Sequence, residues 1–208
     1  VTAIAVIDYD IGNLHSACKG LEQAGAKTII TSDPKEIAAA DGVVLPGVGA
    51  FDHCMQKLRE HKLEEIVKVA IASGQPFLGI CVGMQILFEG SEEGKEAGLG
   101  IISGRVQRFK LEPQITIPHM GWNQLQITQT QCPLWHELPE NPWMYFVHSY
   151  YAVPTDPSVI AAYTIHGTQK ATAAIAIKNL MAVQFHPEKS SEHGIKMLSN
   201  FVDFVRQQ

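Results

Sequence analysis

A cysteine stands between two glycines in Gly79-Ile80-Cys81-Val82-Gly83, after the apolar run 76–80 and before a helical pattern over 82–88. The spacing matches the nucleophile elbow G-x-S-x-G, with cysteine in the serine position. A chain that reverses sharply from strand to helix leaves its central residue in a strained conformation, and flanking glycines remove the Cβ atoms that would collide there. Such a cysteine stands at the carboxyl end of a strand, where open α/β sheets bind ligands. It also stands at a helix start, whose partial positive charge favours thiolate. Cys18, Cys54 and Cys132 have no such frame and read as buried apolar side chains.

A nucleophile of this kind needs a base. His186 ends the apolar run 181–185 and is followed by Pro187 and Glu188. On an extended backbone, residues two apart face one side, so His186 and Glu188 are expected to project together with Pro187 turned away. Proline also stops further strand pairing. A carboxylate beside the imidazole would set its tautomer and favour its protonated form, the third role in a nucleophile–base–orienter set. The other eight histidines show no H-E-x-x-H or comparable spacing, so no metal site is expected.

Val43-Val44-Leu45-Pro46-Gly47-Val48-Gly49-Ala50-Phe51 runs an apolar strand into a proline and two glycines. Asp52 holds the last glycine position of G-x-G-x-x-G, so a dinucleotide-binding reading is weak. Two glycines two apart leave backbone N–H groups free to rotate, and such groups bind a carboxylate or a developing oxyanion.

The elements that must position these groups follow from periodicity. Short apolar runs at 3–7, 27–30, 42–45 and 76–80 read as buried strands. Helical spacing at 13–23 and 50–73 separates them, and the alternation implies a parallel sheet covered on both faces. From 100 to 185 the runs are mostly strand-like, at 143–147, 159–164, 173–178 and 181–185, with a hairpin corner at Lys178-Asn179. A last amphipathic helix spans 192–206. The expected fold is a three-layer, flavodoxin-like α/β domain: a mixed sheet of mostly parallel strands with an antiparallel extension.

Bulk properties narrow the function classes. Net charge is −5 and the lysines and arginines are scattered, which argues against a nucleic-acid partner. No apolar run approaches the roughly 20 residues of a membrane span. VTAIAVIDYD lacks a basic start and reads as a strand rather than a signal peptide. With four cysteines and no C-x-x-C pair, a cytoplasmic location is expected. A chain of 208 residues suits one domain over 1–208.

Together, Cys81 in its glycine frame, the PGVG turn and the HPE segment resemble the class I (triad) glutamine amidotransferases. The resemblance runs through almost the whole chain. It rests on Asp8-Tyr9 with Gly12-Asn13-Leu14, PGVGAF at 46–51, GICVGMQILFEGSEEG at 79–94 and GLGIISGRV at 98–106. PHMGWN at 118–123, His148-Ser149-Tyr150 and QFHPEKSS at 184–191 complete it. GMQ and HPE are shared by many such proteins, whereas PGVGAF and PHMGWN are more specific. Asp10 departs from the pattern, where glycine is expected, but aspartate tolerates left-handed backbone better than most residues.

The resemblance implies that Cys81 attacks the carboxamide carbon of L-glutamine, that His186 moves the protons and that Glu188 orients it. The N–H of Val82 and one from the turn, at Val48 or Gly49, would hold the oxyanion. Gly47, Gln85 and Glu93 would line the substrate site, with Glu92 an equally acidic neighbour, and the backbone at His148, Ser149 and Tyr150 would hold the α-carboxylate. No cofactor is implied. A partner is: a separate cyclase subunit of (β/α)₈-barrel type, forming a heterodimer and receiving the ammonia, with Met120 and Trp122 at the interface. If the glycine turn rests with its N–H groups turned away, the hole is incomplete until partner and nucleotide flip a peptide. Three other readings stand beside this one. One is the glutaminase of pyridoxal phosphate synthesis, whose turn is PGGEST-like. Another is a stand-alone Cys-His-Glu hydrolase such as a γ-glutamyl peptidase. The third is a non-catalytic binding module, against which the filled triad positions argue.

Overall fold

Parallel strands can be joined only by crossovers, so short apolar runs separated by helix-length segments build a helix-covered sheet. In the computed structural model, which describes residues 1–208, β1 (Ala3–Ile7) leads to α1 (Leu14–Gln23), β2 (Lys27–Thr31), α2 (Pro34–Ala39) and β3 (Gly42–Leu45). Two helices, α3 (Phe51–Glu60) and α4 (Glu64–Ala72), precede β4 (Phe77–Ile80) and the single-turn α5 (Val82–Gln85). The second half supplies β5 (Gly104–Arg108), β6 (His119–Gln124), β7 (Gln126–Ile127), β8 (Trp143–His148) and β9 (Tyr150–Pro154). Then follow β10 (Ile160–His166), β11 (Gln169–Ile177), β12 (Leu180–Val183) and α6 (Ser191–Arg206).

The main sheet has eight strands in the order β2-β1-β3-β4-β12-β11-β10-β7. Pairing is parallel from β2 to β12 and antiparallel from β12 to β7, the mixed sheet with an antiparallel extension that the patterning predicts. The chain steps from β1 to β2 one way and from β2 through β3 to β4 the other. Right-handed crossovers therefore put α1 on one face and α2, α3 and α4 on the other. α6 joins α1, with Leu198 against Gly20 of α1 and Val205 against Gly42 of β3. Every residue of β3, β4 and β12 is buried, as expected of strands covered on both faces. No helix is long and apolar enough to cross a membrane.

Four features differ from the periodicity. The helical stretch 50–73 breaks at Lys62, which takes φ 57°, so that Leu58 and Leu63 both stay in the core. The six-residue α2 buries only Ile37 and so shows no helical period, although Asp33 caps it by accepting the Lys35 N–H and Pro34 opens it. The helix expected over 82–88 stops at Gln85, because the carbonyls of Ile86, Leu87, Phe88 and Glu89 turn to N–H groups of the returning 98–102 segment. Two antiparallel ribbons, β5–β9 and β6–β8, stand apart from the main sheet instead of extending it. The Lys178-Asn179 hairpin corner is present, with Ile177 opposite Leu180, and Asp10 occupies left-handed backbone at φ 63°.

Candidate active site

Sheet order explains why residues remote in sequence converge. β3, β4 and β12 are neighbours, with Leu45 beside Gly79 and Ile80 beside Val183. Their carboxyl ends carry the PGVG turn, Cys81 and His186. The Cys81 N–H continues the ladder by donating to Val183 O at 2.8 Å, which fixes the cysteine beside the end of β12.

Cys81 sits at φ 57°, ψ −117°, a conformation costly for any residue with a Cβ atom. The neighbouring glycines make it possible. A Cβ on Gly79 would lie 2.8 Å from Gly83 O, and one on Gly83 would lie 2.1 Å from Leu45 O. The helix-dipole support expected for a thiolate is small, because α5 is a single turn and the macrodipole grows with aligned peptides. The cationic group that shares the pocket with Cys81 is His186.

His186 Nδ1 lies 2.7 Å from Glu188 Oε1, and the two side chains are 4% and 7% exposed. The expected extended backbone is absent: Pro187–Lys189 forms a 3-10 turn. Ser190 closes that turn, its Oγ donating to His186 O at 2.6 Å and accepting the Tyr145 N–H at 2.9 Å. The turn, rather than strand alternation, brings the carboxylate back onto the ring. Glu188 Oε2 is buried without a partner, so Nδ1–H is the carboxylate's hydrogen-bonding contact. Burial alone would lower the pKa of His186. The neighbouring Cys81, together with the hydrogen bond and the charge of Glu188, outweighs it and holds the imidazole well above its ordinary range.

Cys81 and His186 open into a pocket of about 430 Å³, with Val48, Gly49 and Val82 also lining it. Gln85, Glu93, His148, Ser149 and Tyr150 form the remaining expected walls. Glu93 faces the pocket, whereas Glu92 is turned to the Arg108 N–H at 2.9 Å. Burial raises the Glu93 carboxyl, against the lowering effect of its bond from Phe51 N–H. Gln85 Nε2 is committed to Tyr150 O at 3.2 Å and Gln184 Oε1 at 2.9 Å, which leaves its carbonyl oxygen to offer. Lys189, Pro118 and Val147 also line the pocket, and motif reasoning missed them; Lys189 and Pro118 nevertheless fall inside the QFHPEKSS and PHMGWN stretches.

Two expected contacts need correction. Gly47 does not line the pocket. A Cβ there would lie 2.5 Å from Gly83 N, and its carbonyl accepts the Val82 N–H at 3.3 Å. Because a trans peptide holds C=O and N–H on opposite sides, the Val48 N–H points away from Val82. The two expected oxyanion donors are therefore not assembled in this conformation.

The His148 ring also has no free nitrogen. Its Nδ1 donates to Tyr150 O at 2.8 Å, and its Nε2 accepts from His119 Nδ1 at 2.9 Å. Asn123 Nδ2 in turn donates to His119 Nε2 at 3.1 Å and to Ile165 O at 2.7 Å. This assignment uses each ring once as donor and once as acceptor, which requires both to be neutral. Burial lowers His119 to about 4, with His166 adding to it. Burial likewise lowers His148 to about 3, aided by its histidine neighbours and opposed by the Tyr150 bond. β6 alternates, so while His119 is buried, Met120 and Trp122 are 65% and 50% exposed on the other face. No three His, Cys, Asp or Glu side chains group to hold a metal ion.

The family model for glutamine amidotransferase class-I matches residues 5–204. Among curated proteins, the imidazole glycerol phosphate synthase subunit HisH of Acaryochloris marina is 64% identical over 98% of this chain and 95% of that protein. The protein of the same name from Gloeothece citriformis is 65% identical over 99% of this chain and 98% of its own length. Among solved structures, PurLQS from Thermotoga maritima superposes with a TM-score of 0.74 at 18% identity, covering 98% of both chains. The glutaminase domain of CTPS from Trypanosoma brucei gives 0.70 at 17% identity, covering 100% of this chain and 95% of that one. These two show the fold.

Proposed function

This chain belongs to the class-I glutamine amidotransferases, and we propose that it is the glutaminase subunit of an imidazole glycerol phosphate synthase, acting in histidine biosynthesis. The observation that carries the mechanism is the opening of Cys81 and His186 into one pocket, with Glu188 bonded behind the ring. The Cys81 sulfur attacks the carboxamide carbon of glutamine, and its electron pair forms the C–S bond. The C–N bond breaks as His186 gives its proton to the departing nitrogen, and ammonia leaves. His186, now neutral, takes a proton from water. The hydroxide cleaves the thioester and returns sulfur to its starting state, with glutamate as product. Glu188 holds Nδ1–H through both steps, so Nε2 always faces the reacting atoms.

Glu93 and the Gln85 carbonyl oxygen suit the α-ammonium group, and the Ser149–Tyr150 backbone suits the α-carboxylate. Glu188→Gln keeps the shape but removes the charge that holds the imidazolium. It is expected to lower kcat on the order of 10²-fold with KM within about threefold, read as glutamate release.

The nitrogen must travel as ammonia, since ammonium is no nucleophile. A second chain, a (β/α)₈-barrel cyclase, receives it and forms imidazole glycerol phosphate and aminoimidazole-carboxamide ribonucleotide. The exposed Met120 and Trp122 beside the pocket ribbon fit an interface, where large apolar side chains act as anchors. Residues 1–208 act as one glutaminase domain, and its four free cysteines suit the cytoplasm. The engaged Val82 N–H supports a low resting rate: rotating the Gly47–Val48 peptide frees that donor and turns the Val48 N–H beside it. Glutamate release by the subunit alone, with the cyclase, and with cyclase plus nucleotide tests this. At least about tenfold stimulation in the last case is expected, one oxyanion donor carrying about 10²–10³-fold. Equal rates in all three overturn the coupling.

A further inference from the structure

Three consecutive carbonyls after β3 each accept one hydrogen bond, and the donors come from three separate parts of the chain. Pro46 O accepts from the Tyr9 hydroxyl just after β1. Gly47 O accepts from Val82 N–H at 3.3 Å. Val48 O accepts from Cys54 Sγ in α3 at 3.2 Å. The outer two donors are fully buried side chains, both 0% exposed. Burial pushes the Cys54 thiol up to about 12 and the Tyr9 hydroxyl well above its ordinary value, so both keep the proton they donate.

The peptide that must rotate to free the Val82 N–H is the one between Gly47 and Val48. Its C=O belongs to Gly47 and its N–H to Val48. It can turn alone only if ψ of Gly47 and φ of Val48 change in opposite senses while the peptides on either side stay still. Those flanking peptides carry the carbonyls of Pro46 and Val48, the two held by side chains. On the second flank, a Cβ on Gly49, at φ 79°, would meet nothing within 4 Å, so the space beside that residue is open. The thiol of Cys54 is the side-chain restraint on that carbonyl.

We propose that Tyr9 and Cys54 are positioning residues that pin the two flanks of the glycine turn, so that assembling the oxyanion donors becomes a rotation of the single Gly47–Val48 peptide. The proposal rests on the reading that this turn completes the oxyanion site. Neither side chain touches substrate. Their effect is on how sharply the turn distinguishes two orientations, and so on the ratio of stimulated to resting rate.

The test uses the full chain and its cyclase subunit, with Tyr9→Phe, Cys54→Ala, Cys54→Val and Cys54→Ser. Glutamate release is measured for each subunit alone and with cyclase plus nucleotide. Tyr9→Phe, Cys54→Ala and Cys54→Val are expected to reduce the stimulation ratio by at least about fivefold, the size of one buried hydrogen bond. A higher resting rate and a lower stimulated rate should both contribute, while KM for glutamine in the complex stays within about twofold of wild type. Cys54→Ser, which can still donate to Val48 O, should keep the wild-type ratio. Valine fills the site should alanine fail to fold. An unchanged ratio in Tyr9→Phe and in the folded Cys54→Ala or Cys54→Val overturns the proposal, as does a serine variant that behaves like alanine. If the wild-type pair shows no stimulation, the underlying reading fails first and takes this one with it. A stimulated wild type with unaffected variants sinks this inference alone.

Discussion

Replacing Cys81 by alanine lowers glutamine hydrolysis by about 10⁴-fold or more, while the complex supplied with ammonia makes its products at the wild-type rate. The loss is large because no other group can take over. Cys54, another buried thiol, is bonded to Val48 O and has no exposed surface. Water would have to attack an amide directly, without a covalent intermediate. Glutamine binding should survive, since Glu93, Gln85 and the Ser149–Tyr150 backbone stay in place. The substitution also has a spectroscopic consequence. With the sulfur gone, the burial of His186 is opposed by Glu188 alone, so the ring should titrate at lower pH than in wild type. Glutamate release, ammonia-driven synthesis and the His186 ring resonances across pH separate these effects. Residual glutamine hydrolysis at about a tenth of wild type would remove Cys81 from its role, because a nucleophile cannot be dispensable at that level.

What could be read from the residues depended on whether the signal was local. The elbow was legible because two glycines, one cysteine and a change of period fall within five positions, and the close approaches of Gly79 and Gly83 show why those glycines are needed. The partnership of His186 with Glu188 was also legible, but for the wrong reason. Extended alternation predicts it, whereas a 3-10 turn closed by Ser190 produces it. The antiparallel ribbons were not legible as separate sheets, because alternation marks a strand without naming its neighbour. For the same reason the His119–His148 pair leaves no local signal in the sequence. It arises from the cross-strand register of β6 and β8, where residues 29 apart become partners. Cys54 was read as core filling, and its burial is indeed complete. Its bond to Val48 depends on where α3 lies over the turn, which no local pattern encodes.

Mild acid should destabilise this fold sharply, and the histidine pair is the cause. His119 and His148 fall from 6.5 to about 4 and about 3 on folding, so the unfolded chain binds protons that the folded chain refuses. Stability from these two rings is fully present above about pH 6.5. It is lost as pH falls toward 4 for His119 and toward 3 for His148. At pH 5 each ring costs about 2 kcal/mol, and the two together about 4 kcal/mol, near 10³-fold in the folded-to-unfolded ratio. A typical domain has about 5–15 kcal/mol in total, so the change should be plain in urea unfolding followed by tryptophan fluorescence at pH 7 and pH 5. His186 acts with the opposite sign. Its pKa is raised on folding, so its contribution is already complete below about 6.5 and offsets the loss only slightly between pH 7 and 5. His119→Gln cannot be protonated and should remove about half of the pH dependence, about 2 kcal/mol, even if it is less stable at pH 7. Equal unfolding free energies at pH 7 and pH 5 in the wild type would mean that the pair is not held neutral. The donor chain from Asn123 to the Tyr150 carbonyl would then lose its direction, because a protonated His148 could no longer accept from His119.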